Sequence, residues 1–140
     1  MALAGDLRLA LGRISRRLRK LYADAESGPS FLELAVLDRL RRQGPTHPGA
    51  LASDEGVTSA AVAASLASLE GHKLIVRHAD DTDGRRTVVT LTAAGKKTLA
   101  GRDDACIAAL ARALDSLTPA EREVLVAAVP LIERLASELG

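Results

Sequence analysis

A helix-forming stretch that runs without a linker into two short alternating segments constrains this chain most. Residues 57–95 read VTSAAVAASLASLEGHKLIVRHADDTDGRRTVVTLTAAG. Val62, Leu66 and Leu69 recur at three- and four-residue spacing, and Thr58 or Ser59 can cap the start, so a helix is expected from Thr58 to about His72. A strand from Leu74 to Arg77, a charged Gly-containing turn from Asp80 to Arg86 and a strand from Thr87 to Thr92 should follow. The product is a helix beside a two-stranded ribbon with a basic tip. Such a surface can fill one groove of DNA and touch the next.

With 140 residues the chain has the length of one domain with its own core. Tyr22 and Phe31 are its only aromatic residues, so that core must be built of Leu, Val, Ile and Ala, which favours packed helices over a sheet. No apolar run approaches the roughly 18 residues needed to span a bilayer, and the N-terminus is Arg-rich without a signal-peptide core. A soluble, cytoplasmic protein is expected. The single cysteine, Cys106, excludes an internal disulfide framework.

The formal net charge is only +1, but it is unevenly spread. Residues 1–24 carry six basic and two acidic side chains, and residues 100–140 carry four basic and seven acidic ones. Residues 56–97 are mildly basic, with Arg85 and Arg86 at the turn. A local patch, more than the total, sets attraction for phosphate, and the modest total implies moderate, salt-sensitive affinity.

Elsewhere the spacing predicts five more helices. Leu3, Leu7, Ile14, Leu18 and Leu21 mark the first, from about Leu3 to Tyr22, and Glu26 to Ser30 should break it. Ser30 with Glu33 reads as a capping box for a helix from Phe31 to Arg42. Thr46 can cap a short helix of about His47 to Ser53, with Pro48 in its first turn. That short helix, a Gly56 turn and the helix from Thr58 form a helix-turn-helix. Thr92 opens a long fifth helix, and Thr118-Pro119-Ala120-Glu121 starts a sixth in which Pro130 should produce a kink. The first, fifth and sixth helices carry apolar stripes too long for the small lobe to cover. A homodimer that buries the terminal helices is the economical solution; packing within one chain is the alternative.

At this point the chain resembles the MarR family of winged helix-turn-helix transcription regulators. The resemblance rests on Leu69-Glu70 with Leu74-Ile75-Val76-Arg77, on the wing Asp81-Thr82-Asp83-Gly84-Arg85, and on the closing Val89-Thr90-Leu91-Thr92-Ala93-Ala94-Gly95. It covers nearly the whole chain, including the Thr-Pro-Ala-Glu-Arg start of the last helix. It implies a mainly α fold with a small β-ribbon: a winged helix-turn-helix lobe at 30–95 with dimerisation helices at 1–24 and 96–140. It further implies a homodimer on a pseudo-palindromic double-stranded operator, usually a repressor. Release would come from a small apolar or phenolic effector. No cofactor or metal is expected.

Arg85 matches the family's wing arginine and Asp83 its acidic partner. An arginine at a ribbon tip can enter the minor groove, and Asp83 can orient the wing through hydrogen bonds or an ion pair with Arg85. An exposed salt bridge with no DNA role is the plainer reading. Arg86 is a further phosphate or groove contact. On the recognition helix the candidate contacts are Thr58, Ser59, Ala60, Ala63, Ala64 and Ser65. Relatives often carry polar readers where this chain has Ala63-Ala64, and alanine offers only contact with a thymine methyl. Sequence reading should therefore rest on methyl contacts and DNA shape. Lys73 replaces a glycine that relatives commonly have before the first strand. Arg39, Arg41, Arg42, Lys96 and Lys97 are either phosphate contacts or solvated helix ends.

Tyr22 and Phe31 either line an effector cleft or belong to the core. Cys106 reads as a semi-buried helix cysteine rather than a redox switch, because Asp103 and Asp104 nearby should raise its pKa. His47, His72 and His78 lack the spacing of a metal motif. No nucleophile–base pair, phosphate-cradling loop or catalytic carboxylate pair appears, so an enzyme is not expected. The alternative to a DNA-binding regulator is a winged-helix interaction module with little DNA affinity, which the alanine-rich face would suit.

Overall fold

The order of elements is α1 (Ala2–Ala23), α2 (Phe31–Gln43), α3 (Pro48–Glu55), α4 (Ser59–Gly71), β1 (Ile75–Ala79), β2 (Thr87–Leu91), α5 (Ala93–Leu114) and α6 (Pro119–Leu139). The computed structural model describes residues 1–23 and 28–140. Glu26 and Ser27, where the sequence places the first helix break, lie outside the described residues. The chain divides into two compact units, residues 1–106 and 107–140.

In the first unit, Leu34, Val36, Leu37 and Leu40 of α2 meet Leu51 of α3, Val62, Leu66 and Leu69 of α4, Ile75 and Val89 of the ribbon, and Leu99 of α5. All are aliphatic, as the composition requires. Ser30 caps α2 by accepting the Glu33 N–H at 3.2 Å. Thr58 caps α4 by accepting the Ala61 N–H at 3.1 Å. Each cap satisfies an amide that the helix cannot pair internally.

Thr46 departs from expectation. It does not cap α3: the N-cap is His47, whose side chain makes no capping bond. Thr46 instead exchanges two backbone hydrogen bonds with Val89, at 2.8 and 3.2 Å. A residue before a helix can serve as cap or as extended strand, and here the unpaired edge of β2 takes it. β1 and β2 are antiparallel, with Ile75 opposite Leu91 and Ala79 opposite Thr87.

The second unit holds the end of α5 and all of α6. Thr118 accepts the Glu121 N–H at 3.2 Å, and the Glu121 carboxylate accepts the Thr118 N–H at 2.8 Å, completing a capping box. α6 continues through Pro130 to Leu139, and none of its residues is buried. Leu114, Leu125, Val126, Val129 and Ile132 line an apolar groove of about 560 Å³. No helix among the described residues is long and apolar enough to cross a membrane.

Candidate nucleic-acid interface

Helix α4 presents two different faces. Val62, Ser65, Leu66 and Leu69 point into the core. Ser59, Ala60, Ala63, Ala64 and Ala67 are exposed on the other side, and Thr58 is exposed at the cap. Ser65 therefore corrects the sequence reading. It is only 7% exposed, because it shares the inward stripe with Val62, Leu66 and Leu69, and it cannot be an outward contact. The exposed face offers methyl groups and the Ser59 hydroxyl.

The helix ends in a Schellman motif. The Leu74 N–H reaches the Leu69 carbonyl at 3.0 Å, and the Lys73 N–H reaches the Glu70 carbonyl at 3.0 Å. Lys73 stands at the left-handed position with φ of 60°, where glycine is usual. The missing glycine thus leaves the turn intact and places a side chain where it is disfavoured. Arg77 of β1 forks onto the Glu70 carboxylate at 3.0 and 3.2 Å, tying the last turn of α4 to the ribbon. That pairing lowers the Glu70 pKa and raises that of Arg77.

The wing is organised by Asp80. Its Oδ1 accepts the Thr82 N–H at 2.9 Å, the Thr82 hydroxyl at 2.8 Å and the Asp83 N–H at 3.4 Å. These bonds from Thr82, backbone first, hold the Asp80 carboxyl below its ordinary range. The Asp80 N–H closes the loop on the Arg86 carbonyl at 2.9 Å. Asp83 accepts the backbone N–H of Arg85 at 3.1 Å, so it shapes the turn through the main chain, without a side-chain ion pair to Arg85. Asp83, Arg85 and Arg86 are all exposed, and neither arginine joins an ion pair among the described residues.

The arginines of α2 are differently engaged. Arg41 bonds Asp38 and Asp103, each at 2.6 Å, and Arg42 bonds Asp38 at 2.8 Å. Asp103 first, then Asp38, pushes the Arg41 pKa up. Arg39 sits 3.5 Å from both Asp54 and Glu55. These cations serve intramolecular carboxylates, whereas Arg85 and Arg86 of the wing, like the exposed Lys73 after α4, join no ion pair among the described residues.

Tyr22 and Phe31 come together. With Leu11, Ile14, Leu18 and Cys106 they line an open groove of about 590 Å³. The Arg19 guanidinium lies 4.9 Å from the Phe31 ring centre, a cation–π contact. Burial, then Asp103, raises the Tyr22 pKa. The same two causes raise the Cys106 thiol, whose Sγ lies 3.7 Å from the Leu18 carbonyl. A thiol held protonated is a poor redox nucleophile.

Comparison with known proteins agrees with this architecture. The MarR family model matches residues 31–87, from the start of α2 to the first residue of β2. The uncharacterised HTH-type transcriptional regulator Mb0904 of Mycobacterium bovis is 33% identical, over 97% of this chain and 94% of its own. A candidate transcriptional regulator protein from Pseudomonas aeruginosa PA01 superposes with a TM-score of 0.83 at 38% identity, over 97% of this chain and 94% of that one. The YusO protein of Bacillus subtilis gives a TM-score of 0.72 at 25% identity, over 97% and 96%. Relatives that span nearly the whole chain, and a family model centred on the helix and wing just described, make this chain a member of the MarR family of helix-turn-helix, DNA-binding transcriptional regulators.

Proposed function

We propose that the chain works in the cytoplasm as a homodimeric repressor of a pseudo-palindromic operator. The lobe at 30–95 reads the DNA, and segments 1–24 and 96–140 pair the two copies. α4 lies in the major groove, where Ser59, Ala60, Ala63 and Ala64 meet base edges and Thr58 meets phosphate. The wing at 80–87 enters the minor groove with Arg85, and Arg86 holds the adjoining backbone. The observation that carries this reading is the pairing of an exposed, small-residue face on α4 with two exposed arginines whose guanidinium groups join no ion pair among the described residues. A smooth helix face can seat deeply in a groove but cannot discriminate bases by hydrogen bonds. Sequence preference then comes from thymine methyls and from groove shape at the wing.

A second copy of the chain covers apolar surface that is otherwise left in water. Leu3, Leu11 and Ile14 on α1, and Leu125, Val126, Val129 and Leu135 on α6, are each at least 40% exposed. A small apolar or phenolic effector fits the groove lined by Tyr22 and Phe31, whose walls are largely aliphatic. Such an effector relieves repression only by favouring a spacing of the two lobes that the operator does not.

The test is binding of the purified protein to its own upstream DNA and to random DNA across a salt series. The expected result is a clear preference for the upstream DNA, a steep salt slope, and a loss of about tenfold or more with Arg85→Ala. Equal, weak binding to both DNAs, unchanged by Arg85→Ala, would overturn the placement of the wing.

A further inference from the structure

We propose that His47 is the positioning residue of the wing, and that its doubly protonated ring holds the ribbon against the start of α3, so DNA binding tightens as His47 takes up a proton. This rests on the reading of residues 80–87 as a DNA contact.

His47 stands at the N-terminus of α3, yet its side chain caps nothing there. It reaches across to the ribbon. Nδ1 lies 2.9 Å from the Thr87 carbonyl oxygen, and Nε2 lies 3.4 Å from Oδ2 of Asp80. A carbonyl oxygen only accepts, so Nδ1 must carry a proton. An ionised carboxylate also only accepts, so Nε2 must carry one for its contact to attract. Neutral imidazole has a single ring proton; whichever oxygen it serves, the other nitrogen turns a lone pair toward the second oxygen. Only imidazolium donates to the carbonyl and at the same time turns a positive N–H edge toward the carboxylate.

Asp80 carries this contact to the DNA-facing residues. While Oδ2 faces His47, Oδ1 gathers the Thr82 N–H, the Thr82 hydroxyl and the Asp83 N–H, and Asp83 in turn fixes the Arg85 N–H. The neighbouring Thr46–Val89 backbone pair anchors the His47 main chain to β2. The ring therefore acts on the wing from a fixed base. The His47 and Asp80 side chains are 29% and 18% exposed, so water screens the pair only in part. Asp80 is the carboxylate at the ring. Arg77, held by Glu70, and His78, Asp81, Asp83, Arg85 and Arg86 are the other titratable groups of the ribbon and its turn. At the end of α2 Arg42 is held by Asp38, and in the last turn of α3 Asp54 and Glu55 are held by Arg39.

The experiment compares wild type with His47→Gln on the upstream DNA at constant salt, from about pH 5.5 to about pH 8. Glutamine still donates to one oxygen but gains no proton, while His72 and His78 are present in both proteins. Wild type should tighten about three- to fivefold more than the variant toward acid pH. An identical pH profile in the two proteins overturns the proposal. Amide signals of wild-type Thr82 and Arg85, followed by NMR without DNA, should move in step with the His47 ring signal; wing amides that ignore that titration also overturn it. This second reading judges the coupling even if Gln at position 47 impairs folding. Arg85→Ala, run alongside, separates the two failures. If it leaves binding intact, the wing reading is at fault and the amide result stands alone.

Discussion

The Leu74 carbonyl oxygen packs directly on Gly95, so closely that a Cβ at that position would collide with it and with the Leu91 side chain. Two chain segments meet here. Thr92 donates its N–H to the Leu74 carbonyl at 3.1 Å and its hydroxyl to the Lys73 carbonyl at 2.8 Å, and the same hydroxyl accepts the Gly95 N–H at 3.0 Å. The start of α5 is thereby fixed to the entry of the ribbon. Gly→Ala inside a helix ordinarily stabilises by up to about 1 kcal/mol. Gly95→Ala should do the reverse and cost about 1–3 kcal/mol, because the obstacle is backbone that cannot turn aside. Urea denaturation decides the sign; a variant as stable as wild type would mean the two segments can separate.

Lys73 should respond in the opposite direction. A side chain at φ of 60° costs about 1–2 kcal/mol, and glycine relieves that cost while adding some unfolded-chain entropy. Lys73→Gly is expected to stabilise by about 0.5–1 kcal/mol, visible as a higher Tm. A lower Tm would show that the lysine side chain contributes something the Schellman geometry alone does not reveal.

The residues that were legible in the sequence are those whose role is set by near neighbours. The spacing of Val62, Leu66 and Leu69 gives the inward face of α4, and Thr58, Ser30 and the Thr118–Glu121 box cap the helices they precede. Roles set from a distance were not. Thr46 looks like a cap because the strand that claims it, around Val89, is remote in sequence. Arg41 has Asp38 three positions away, but its second carboxylate, Asp103, lies 62 positions off and is hidden in the sequence. Ser65 is small and polar, and nothing in its type discloses that it sits within the apolar stripe. The Asp83–Arg85 motif is visible as residue types, but that it works through a main-chain N–H appears only in three dimensions.

Acid should loosen the base and the turn of the wing. Glu70 is held below its ordinary value of 4.5 by Arg77, and Asp80 below its ordinary 3.8 by Thr82. The unfolded chain therefore takes up protons at these sites at a higher pH than the folded one. Their contribution is complete above those ordinary values and is lost as the pH falls through the lowered, folded ones. Thermal melts should show a decline below about pH 4.5 that is smaller in Glu70→Gln and Asp80→Asn. Both variants should already melt lower at neutral pH. An acid decline of wild-type size in both variants would place its origin elsewhere.

Val126 separates a lone chain from a paired one. It lines the α6 groove and is 74% exposed in the single chain, so Val126→Glu should change the stability of an isolated chain by no more than about 0.5 kcal/mol. If a second copy covers the groove, the same carboxylate is taken out of water without a partner, at a cost of roughly 2 kcal/mol or more. Sedimentation velocity over a dilution series should then show wild type as a dimer and Val126→Glu shifted toward monomer at the same concentration. Operator binding should weaken in parallel, since two half-sites are no longer held by one particle. A variant that sediments like wild type would place the dimer contact away from this groove, and α1, with Leu3 and Ile14 exposed, becomes the next surface to alter.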